Sequence, residues 1–413
     1  GHEESSGTKY YPEGLQDEWS KKDPVINFEL YLKEIGLLTE ETENEIKEAF
    51  KQEIQTGFDE ANAEPQIDPK MNNEQADVYA PFTQQVVNAT GIKSEKRFID
   101  AIQDALIQSM ERYPELVLMG QDIAEYGGAF KVTEGLVEKF GKSRVRNTPL
   151  CESAIVGSGL GLSINGMKAM VEMQFADFVT CGFNQIINNL AKIHWRWGQN
   201  ADVVVRMPTG AGTAAGPFHS QSNEAWFAHT PGLKVIYPSN PHDAKGLLNA
   251  AFEDPNPVIF FEHKFLYRSL KQDIPDDYYT VEIGKAATVS EGKDLTIITY
   301  GMGVHWAKEA MALNAEYTAE ILDLRTLLPL DQEAIFSAVK KTGKVIVLHE
   351  DCMTGGVGGE LVALIAEHCF EFLDAPILRV ASMDTPVPFA VNLEKQFLPQ
   401  ERLHEAIKKL TSF

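Results

Sequence analysis

Between Asp23 and Ala63, in DPVINFELYLKEIGLLTEETENEIKEAFKQEIQTGFDEANA, apolar residues recur at helical spacing and charge gathers on one face. Leu37 and Leu38 close a first apolar stripe, and Thr39 is placed to cap a second helix. Glu40 and Glu41 then fall in its first turn, where the macrodipole favours negative charge. Thr42 stands where a full capping box has Glu or Gln, so the box is incomplete. This piece is thin in core residues and needs a surface to pack against. EPQIDPKMNNEQADVYAPFTQQ then loses periodicity and gains Pro, Asn and Gln, the composition of a linker, which places a boundary near residue 92.

Beyond that boundary, a helical pattern in EKRFIDAIQDALIQSMERYP precedes strand-like LVLMG. Apolar runs in ADVVVRMP, LKVIYP and PVIFFE follow, bounded by turn residues and separated by helical patterns. Such alternation predicts a parallel, doubly wound α/β domain. A second break falls near KQDIPDDYYTVEIG, and DLTIITYG, AEILDLR, KVIVLHE and PILRVAS repeat the alternation in a smaller α/β domain. No internal repeat is visible in the sequence.

Composition narrows the function classes. With 413 residues and 44% hydrophobic content the chain can bury a substantial core. A formal charge of −23 argues against nucleic-acid or anionic-membrane partners, because their phosphates repel such a surface. No apolar run reaches the ~20 residues that span a bilayer, and GHEESSGTKYY has neither a basic nor an apolar signal region. Cys151, Cys181, Cys352 and Cys369 lack C-x-x-C spacing, so reduced and mostly buried thiols in a cytoplasmic compartment are expected.

Several stretches could carry chemistry. In NTPLCESAIVGSGLGLSING, Glu152 opens a nearly uncharged run; the plain reading is a helix-start carboxylate, and the sharper one is proton exchange with a ring nitrogen from an apolar wall. Gly157, Gly159 and Gly161 do not form a dinucleotide fingerprint, so close helix packing explains them better. In GAGTAAGPFHSQSNEAWFAH a loop of small residues leads to His219. A lone His is more often structural, but the flexible loop favours a ring that reaches a ligand. His219 and His229 lack metal spacing and Ser220 lacks G-x-S-x-G context, which excludes zinc and acyl-serine chemistry. TGGVGGE has no Walker ending and reads as a turn into the helix LVALIAEHCF.

Taken in order, GKSRVRNTPLCESAIVGSGLGL, EMQFADF, HSQSNEAWFAHTPGLKVIYPSNPHDAKGLL, EDPNPVIFFE and LDLRTLLPLD resemble the beta subunit of thiamine-diphosphate-dependent 2-oxo acid dehydrogenases, the E1 components, from Lys96 to the C-terminus. GHEESSGTKYY and DPVINFELYLKEIGLLTEE resemble the tail of the alpha subunit of the same enzymes, as in an alpha–beta fusion severed within its alpha half. The resemblance implies a helical alpha tail and linker over 1–92, a transketolase-like pyrimidine-binding domain over 93–275 and a transketolase C-terminal α/β domain over 283–413.

It also implies roles. Glu152 matches the glutamate that hydrogen-bonds the aminopyrimidine of thiamine diphosphate; Leu150 and Phe178 match positions packed against that ring, with Gln174 in the same pocket stretch. Phe178 stands where some relatives carry Tyr, so a hydroxyl contact is lost. His219 matches the histidine that assists proton transfer and reductive acylation of lipoyl groups. Asp254 and Asn256 match a monovalent-cation site, K⁺, although a strand-entry turn explains them nearly as well, and His2 matches a loop histidine that reaches the cofactor diphosphate. The GDG…N stretch that holds Mg²⁺ and the diphosphate lies in the alpha part and does not occur here, so this polypeptide alone is expected to be inactive. The implied partners are the E1 alpha part, a second beta copy in an alpha2beta2-like assembly and the lipoyl acyltransferase E2. A branched-chain 2-oxo acid is the favoured substrate, with pyruvate and acetoin enzymes as alternatives; an assembly and E2-docking module without catalysis is the competing class.

Overall fold

The computed structural model describes residues 10–67 and 69–413. The chain divides into two compact units between Lys70 and Met71. In the first, the helix Glu40–Ala63 begins after Thr39, where the sequence placed its cap, and the helix Pro24–Glu34 begins after Asp23. Asp23 Oδ1 accepts from the backbone N–H of Val25 at 2.8 Å and of Ile26 at 3.1 Å, with Pro24 in the first helical position. Thr39 Oγ1 accepts from Thr42 N at 3.1 Å. Lys33 pairs with Glu29 and Glu43 and so ties the two helices together. No residue of either helix is buried, in keeping with a piece thin in core residues.

The second unit contains two mixed sheets with helices packed on them. The seven-stranded sheet runs, edge to edge, Thr326–Leu328, Lys234–Ile236, Val258–His263, Val203–Thr209, Lys168–Glu172, Leu116–Gly120 and Val145–Asn147. All its pairings are parallel except that of Thr326–Leu328 with Lys234–Ile236. The five-stranded sheet runs Leu378–Ser382, Val345–Cys352, Leu295–Thr299, Ala319–Asp323 and Ala287–Ser290, with the last strand antiparallel. The central strands are buried along their whole length, as expected of a parallel sheet covered on both faces. No described helix is long and apolar enough to cross a membrane.

Two features depart from the sequence reading. The linker-like stretch that begins at Glu64 contains a short helix, Met71–Ala76, and over 77–92 has no regular structure, yet there its backbone is strapped down: Ala80 N donates to Asn256 Oδ1 at 2.7 Å, Val87 N to Thr280 Oγ1 at 2.9 Å, and Gly91 N to Asp277 Oδ2 at 3.0 Å. Composition reports the lack of periodicity but not the distant partners. The second departure lies in LDLRTLL, where the chain leaves the smaller sheet and adds an edge strand to the larger one. Arg325, in a left-handed conformation at φ 59°, makes that turn, and its guanidinium binds Asp243 through two hydrogen bonds of 2.8 and 2.9 Å.

The glycines of GSGLGLSING lie in the helix Glu152–Ile164, and the close packing they predict falls on one of them. A Cβ on Gly159 would sit 2.9 Å from Val171 Cγ1 and 3.4 Å from Val203 Cγ1, while a Cβ on Gly161 would meet nothing within 4 Å. In TGGVGGE, Gly356 and Gly358 pack against the His349 ring as the chain turns into the helix Val357–Cys369. Gly159→Val should therefore cost about 1–3 kcal/mol through overpacking, whereas Gly161→Ala should gain up to about 1 kcal/mol through helix propensity. Urea unfolding of the two variants checks this, and equal shifts would contradict it.

Candidate functional site

Parallel strands end together, and their following loops gather at one edge of the sheet. That edge is anchored by Arg206, which has no exposed surface. Its guanidinium binds both oxygens of Glu262 at 2.6 Å and Glu172 Oε2 at 2.6 Å, and Tyr267 Oη donates to Glu262 Oε2 at 2.6 Å. Burial, only partly offset by Arg206, raises the affinity of Glu172 for a proton. Glu172, Arg206 and Glu262 come from adjacent strands, ahead of the segments that carry Gln174, His219 and Lys264.

Glu152 is the first residue of its helix, and Cys151 before it offers no side-chain cap. The carboxylate therefore meets the positive end of the helix, as the plain reading requires. It is also 7% exposed, and Gln121 Nε2 donates to its Oε1 at 2.9 Å. Among the described residues that is its one hydrogen bond, so its other oxygen keeps its acceptor capacity for a ligand. Leu150, two residues earlier, is 81% exposed, an apolar side chain with little protein around it.

Gln121 connects this carboxylate to the next loop. Its backbone oxygen lies 3.5 Å from Gln174 Nε2, which donates more firmly to Asp122 Oδ2 at 3.2 Å. Further along the same segment, Phe175 and Phe178 pack edge-on with His219, which comes from the loop after Val203–Thr209. The His219 ring stands 4.7 Å from Phe175 at 90° and 5.6 Å from Phe178 at 75°. Its ring nitrogens make no hydrogen bond among the described residues. Asp177 Oδ1 accepts from Gln221 N at 3.2 Å and Gln221 Nε2 at 2.9 Å, which locks FADF to HSQ. Lys264 donates to Gly210 O at 2.6 Å, and burial pushes its ammonium down to about 8.

The structure thus brings together Phe178 and His219, and places Glu152 and Gln174 on either side of Gln121. Asp254 and Asn256 lie at the opposite edge, before the strand Val258–His263 begins. Asp254 pairs with Lys234 and accepts from Asn256 N and Nδ2 at 2.9 Å, and Asn256 Oδ1 accepts from Ala80 N. Those side-chain oxygens are committed to the protein, which leaves backbone carbonyls as the oxygens a monovalent cation would use there. His2 lies outside the described residues. All four cysteines are free thiols, but Cys151 and Cys181 are exposed and only Cys369 is buried. The cap of the helix Glu152–Ile164 and the end of the 3-10 helix Ala176–Cys181, rather than a core strand, carry the exposed pair.

Sequence reasoning passed over Gln121, Arg206 and Glu224. The signal for Arg206 was available: VVVRMP, VEMQF and IFFEHK each place a charge inside an apolar strand, and buried charges need partners. Glu224 is fully buried, accepting from Tyr300 Oη at 2.7 Å and Ser222 Oγ at 2.8 Å. Burial, reinforced by the Asp351 charge, pushes Glu224 up to about 8.

Comparison with known proteins places this geometry. Residues 94–269 match the family model of the transketolase pyrimidine binding domain, residues 284–402 that of the transketolase C-terminal domain, and residues 1–70 that of the dehydrogenase E1 component. The 2-oxoisovalerate dehydrogenase subunit beta of Bacillus subtilis is 47% identical over 322 residues, covering 76% of this chain and 98% of that one. The mitochondrial 2-oxoisovalerate dehydrogenase subunit beta 2 of Arabidopsis thaliana is 40% identical over 334 residues, with coverage of 79% and 92%. The pyruvate dehydrogenase E1 component subunit beta of Porphyra purpurea is 41% identical over 318 residues, with coverage of 76% and 96%. A solved split-gene transketolase, described as an inactive beta4 tetramer, aligns with a TM-score of 0.61 over 78% of this chain and 99% of that one; at 23% identity it shows the fold alone.

Glu224 sets a pH dependence whose sign follows from its partners. Its proton affinity is higher folded than at the ordinary value of 4.5, so the native state holds a proton that the unfolded chain has released. The stability it contributes is complete below 4.5 and is lost as pH rises towards about 8. Urea midpoints across that range should fall with pH, and Glu224→Gln should flatten the slope; an unchanged slope in the variant would contradict this.

Proposed function

The chain belongs to the beta subunits of thiamine-diphosphate-dependent 2-oxo acid dehydrogenase E1 components, of the 2-oxoisovalerate type and with an alpha-type segment ahead of it, and from that premise we propose that Glu152 and His219 carry its chemistry. One observation supports this most strongly: a buried carboxylate with a single protein hydrogen bond shares a sheet edge with a histidine whose ring nitrogens make none among the described residues.

Thiamine diphosphate, when bound, supplies the electron sink on which a 2-oxo acid loses CO₂. The residues present fit its aminopyrimidine. Glu152 would hold and exchange a proton at the ring nitrogen, and Gln121 fixes the rotamer that aims it. Leu150 and Phe178 would offer apolar surface to the flat ring, with Gln174 beside them. His219 would move a proton during acyl transfer to the lipoyl group of an E2 acyltransferase, its ring in T-shaped contact with Phe175 and Phe178. His2 is assigned to the diphosphate and Mg²⁺ to the absent GDG…N stretch of the alpha part. K⁺ is assigned to the turn at Asp254 and Asn256, through backbone oxygens. The assembly pairs this chain with an alpha part and a second beta copy, and the four free thiols favour a reducing compartment such as the cytoplasm. The domain boundaries at 92, 275 and 283 belong to the same reading. A docking module without catalysis gains nothing from a buried carboxylate kept short of partners.

Combining the chain with an alpha part, thiamine diphosphate and Mg²⁺ should release CO₂ from 2-oxoisovalerate faster than from pyruvate, while the chain alone should release little. Glu152→Gln should lower that rate by about 10²–10⁴-fold with unfolding unchanged. An active Glu152→Gln enzyme would sink the assignment, and a preference for pyruvate would overturn the substrate.

A further inference from the structure

We infer that Glu394, a carboxylate of the C-terminal domain, is a positioning residue for His219, acting through the loop 210–216. The inference rests on the reading of His219 as the acyl-transfer histidine.

The loop GAGTAAG has almost no side chains with which to anchor itself, so whatever fixes its backbone has to come from other segments. Its amides find carboxylates from the far side of the domain boundary. Ala211 N donates to Glu350 Oε1 at 2.6 Å, Gly212 N to Glu394 Oε1 at 2.9 Å, and Ala214 N to Glu394 Oε2 at 3.0 Å. Gly212 at φ +92° and Ala214 at φ 54° are both left-handed, and such turns point nearby N–H groups into a common concavity that binds an anion. Here the anion is a side chain of the same protein, only 4% exposed. Phe389 closes the end of the loop: a Cβ on Gly216 would lie 2.3 Å from its ring, so only glycine admits that contact.

His219 inherits its place from this arrangement. No hydrogen bond among the described residues holds its ring, which makes T-shaped contacts with two aromatic rings. Its backbone is fixed before by Gly216 O at 3.4 Å and after by the Asp177–Gln221 lock. Only the upstream anchor depends on Glu394. Charge-assisted hydrogen bonds of this kind are about twice as strong as neutral ones, so removal of the carboxylate releases the loop and blurs the ring position. Decarboxylation, which the reading assigns to Glu152, does not pass through this loop.

The test uses the complete alpha–beta enzyme carrying Glu394→Leu, Glu394→Gln or His219→Ala. Three quantities are measured: dye-linked decarboxylation, acylation of a lipoyl domain, and amide exchange of 210–219. Glu394→Leu should lower kcat for lipoyl acylation by about 10-fold or more, leave dye-linked turnover and KM for the oxo acid within about 3-fold, and speed exchange of the loop by about 10-fold. Glu394→Gln keeps an acceptor oxygen and should recover most of the loss. Equal loss in both half-reactions, or unchanged loop exchange, would overturn the proposal. If Glu394→Leu does not assemble, the unaltered enzyme still decides: the Gly212 and Ala214 amides should be protected, and free exchange there would refute it. His219→Ala with undiminished lipoyl acylation would instead refute the role of His219, leaving the exchange result to stand by itself.

Discussion

Arg206 lies wholly buried between Glu172 and Glu262, and the shape of the site follows from that pairing. Removing one member of such a cluster typically costs about 3–5 kcal/mol, because the remaining charge is left without a partner in a low dielectric. The cost makes the cluster all or none. Three neighbouring strands are thereby held in register at their C-terminal ends, and the loops that leave them start from fixed points. Gln174 and Phe178 follow Glu172, the His219 loop follows the strand of Arg206, and Lys264 follows Glu262. An apolar trio could pack as densely but would give the strands no comparable penalty for slipping.

Fixed starting points do not by themselves place the tip of a loop rich in glycine and alanine. The smaller sheet supplies what is missing. Glu350, on its strand Val345–Cys352, and Glu394, on the nearby helix Val391–Phe397, reach the loop amides, and the edge strand Thr326–Leu328, turned by Arg325, joins the two sheets along one side. Residues far apart in sequence thus converge on His219, and Glu152 reaches the same edge through the helix that follows Val145–Asn147.

Much of this was legible in the sequence. The cap at Thr39, the alternating strands and helices, and Glu152 at a helix start are local patterns, and local patterns survive folding. The motifs from NTPLCE to LDLRTLLPLD pointed to the family. What escaped depends on pairing across distance. No spacing rule links Arg206 to Glu172 and Glu262, and none links Glu394 to Gly212. Gln121 was hidden for another reason: a glutamine after a strand looks like any loop residue until its amide is seen on Glu152. The linker-like composition after Glu64 matches an irregular backbone over 77–92 but not the short helix Met71–Ala76, and composition cannot say that Asn256 and Asp277 hold the segment down.

The claim on which the rest turns is that Glu152 exchanges a proton with the cofactor ring. The most direct test is the rate at which the C2 hydrogen of thiamine diphosphate exchanges with deuterium in the complete enzyme, measured by rapid quench and NMR without any oxo acid present. Replacing Glu152 by Gln should slow that exchange by about 10²–10⁴-fold while cofactor affinity changes far less. Exchange as fast in the variant as in the unaltered enzyme would contradict the role of Glu152.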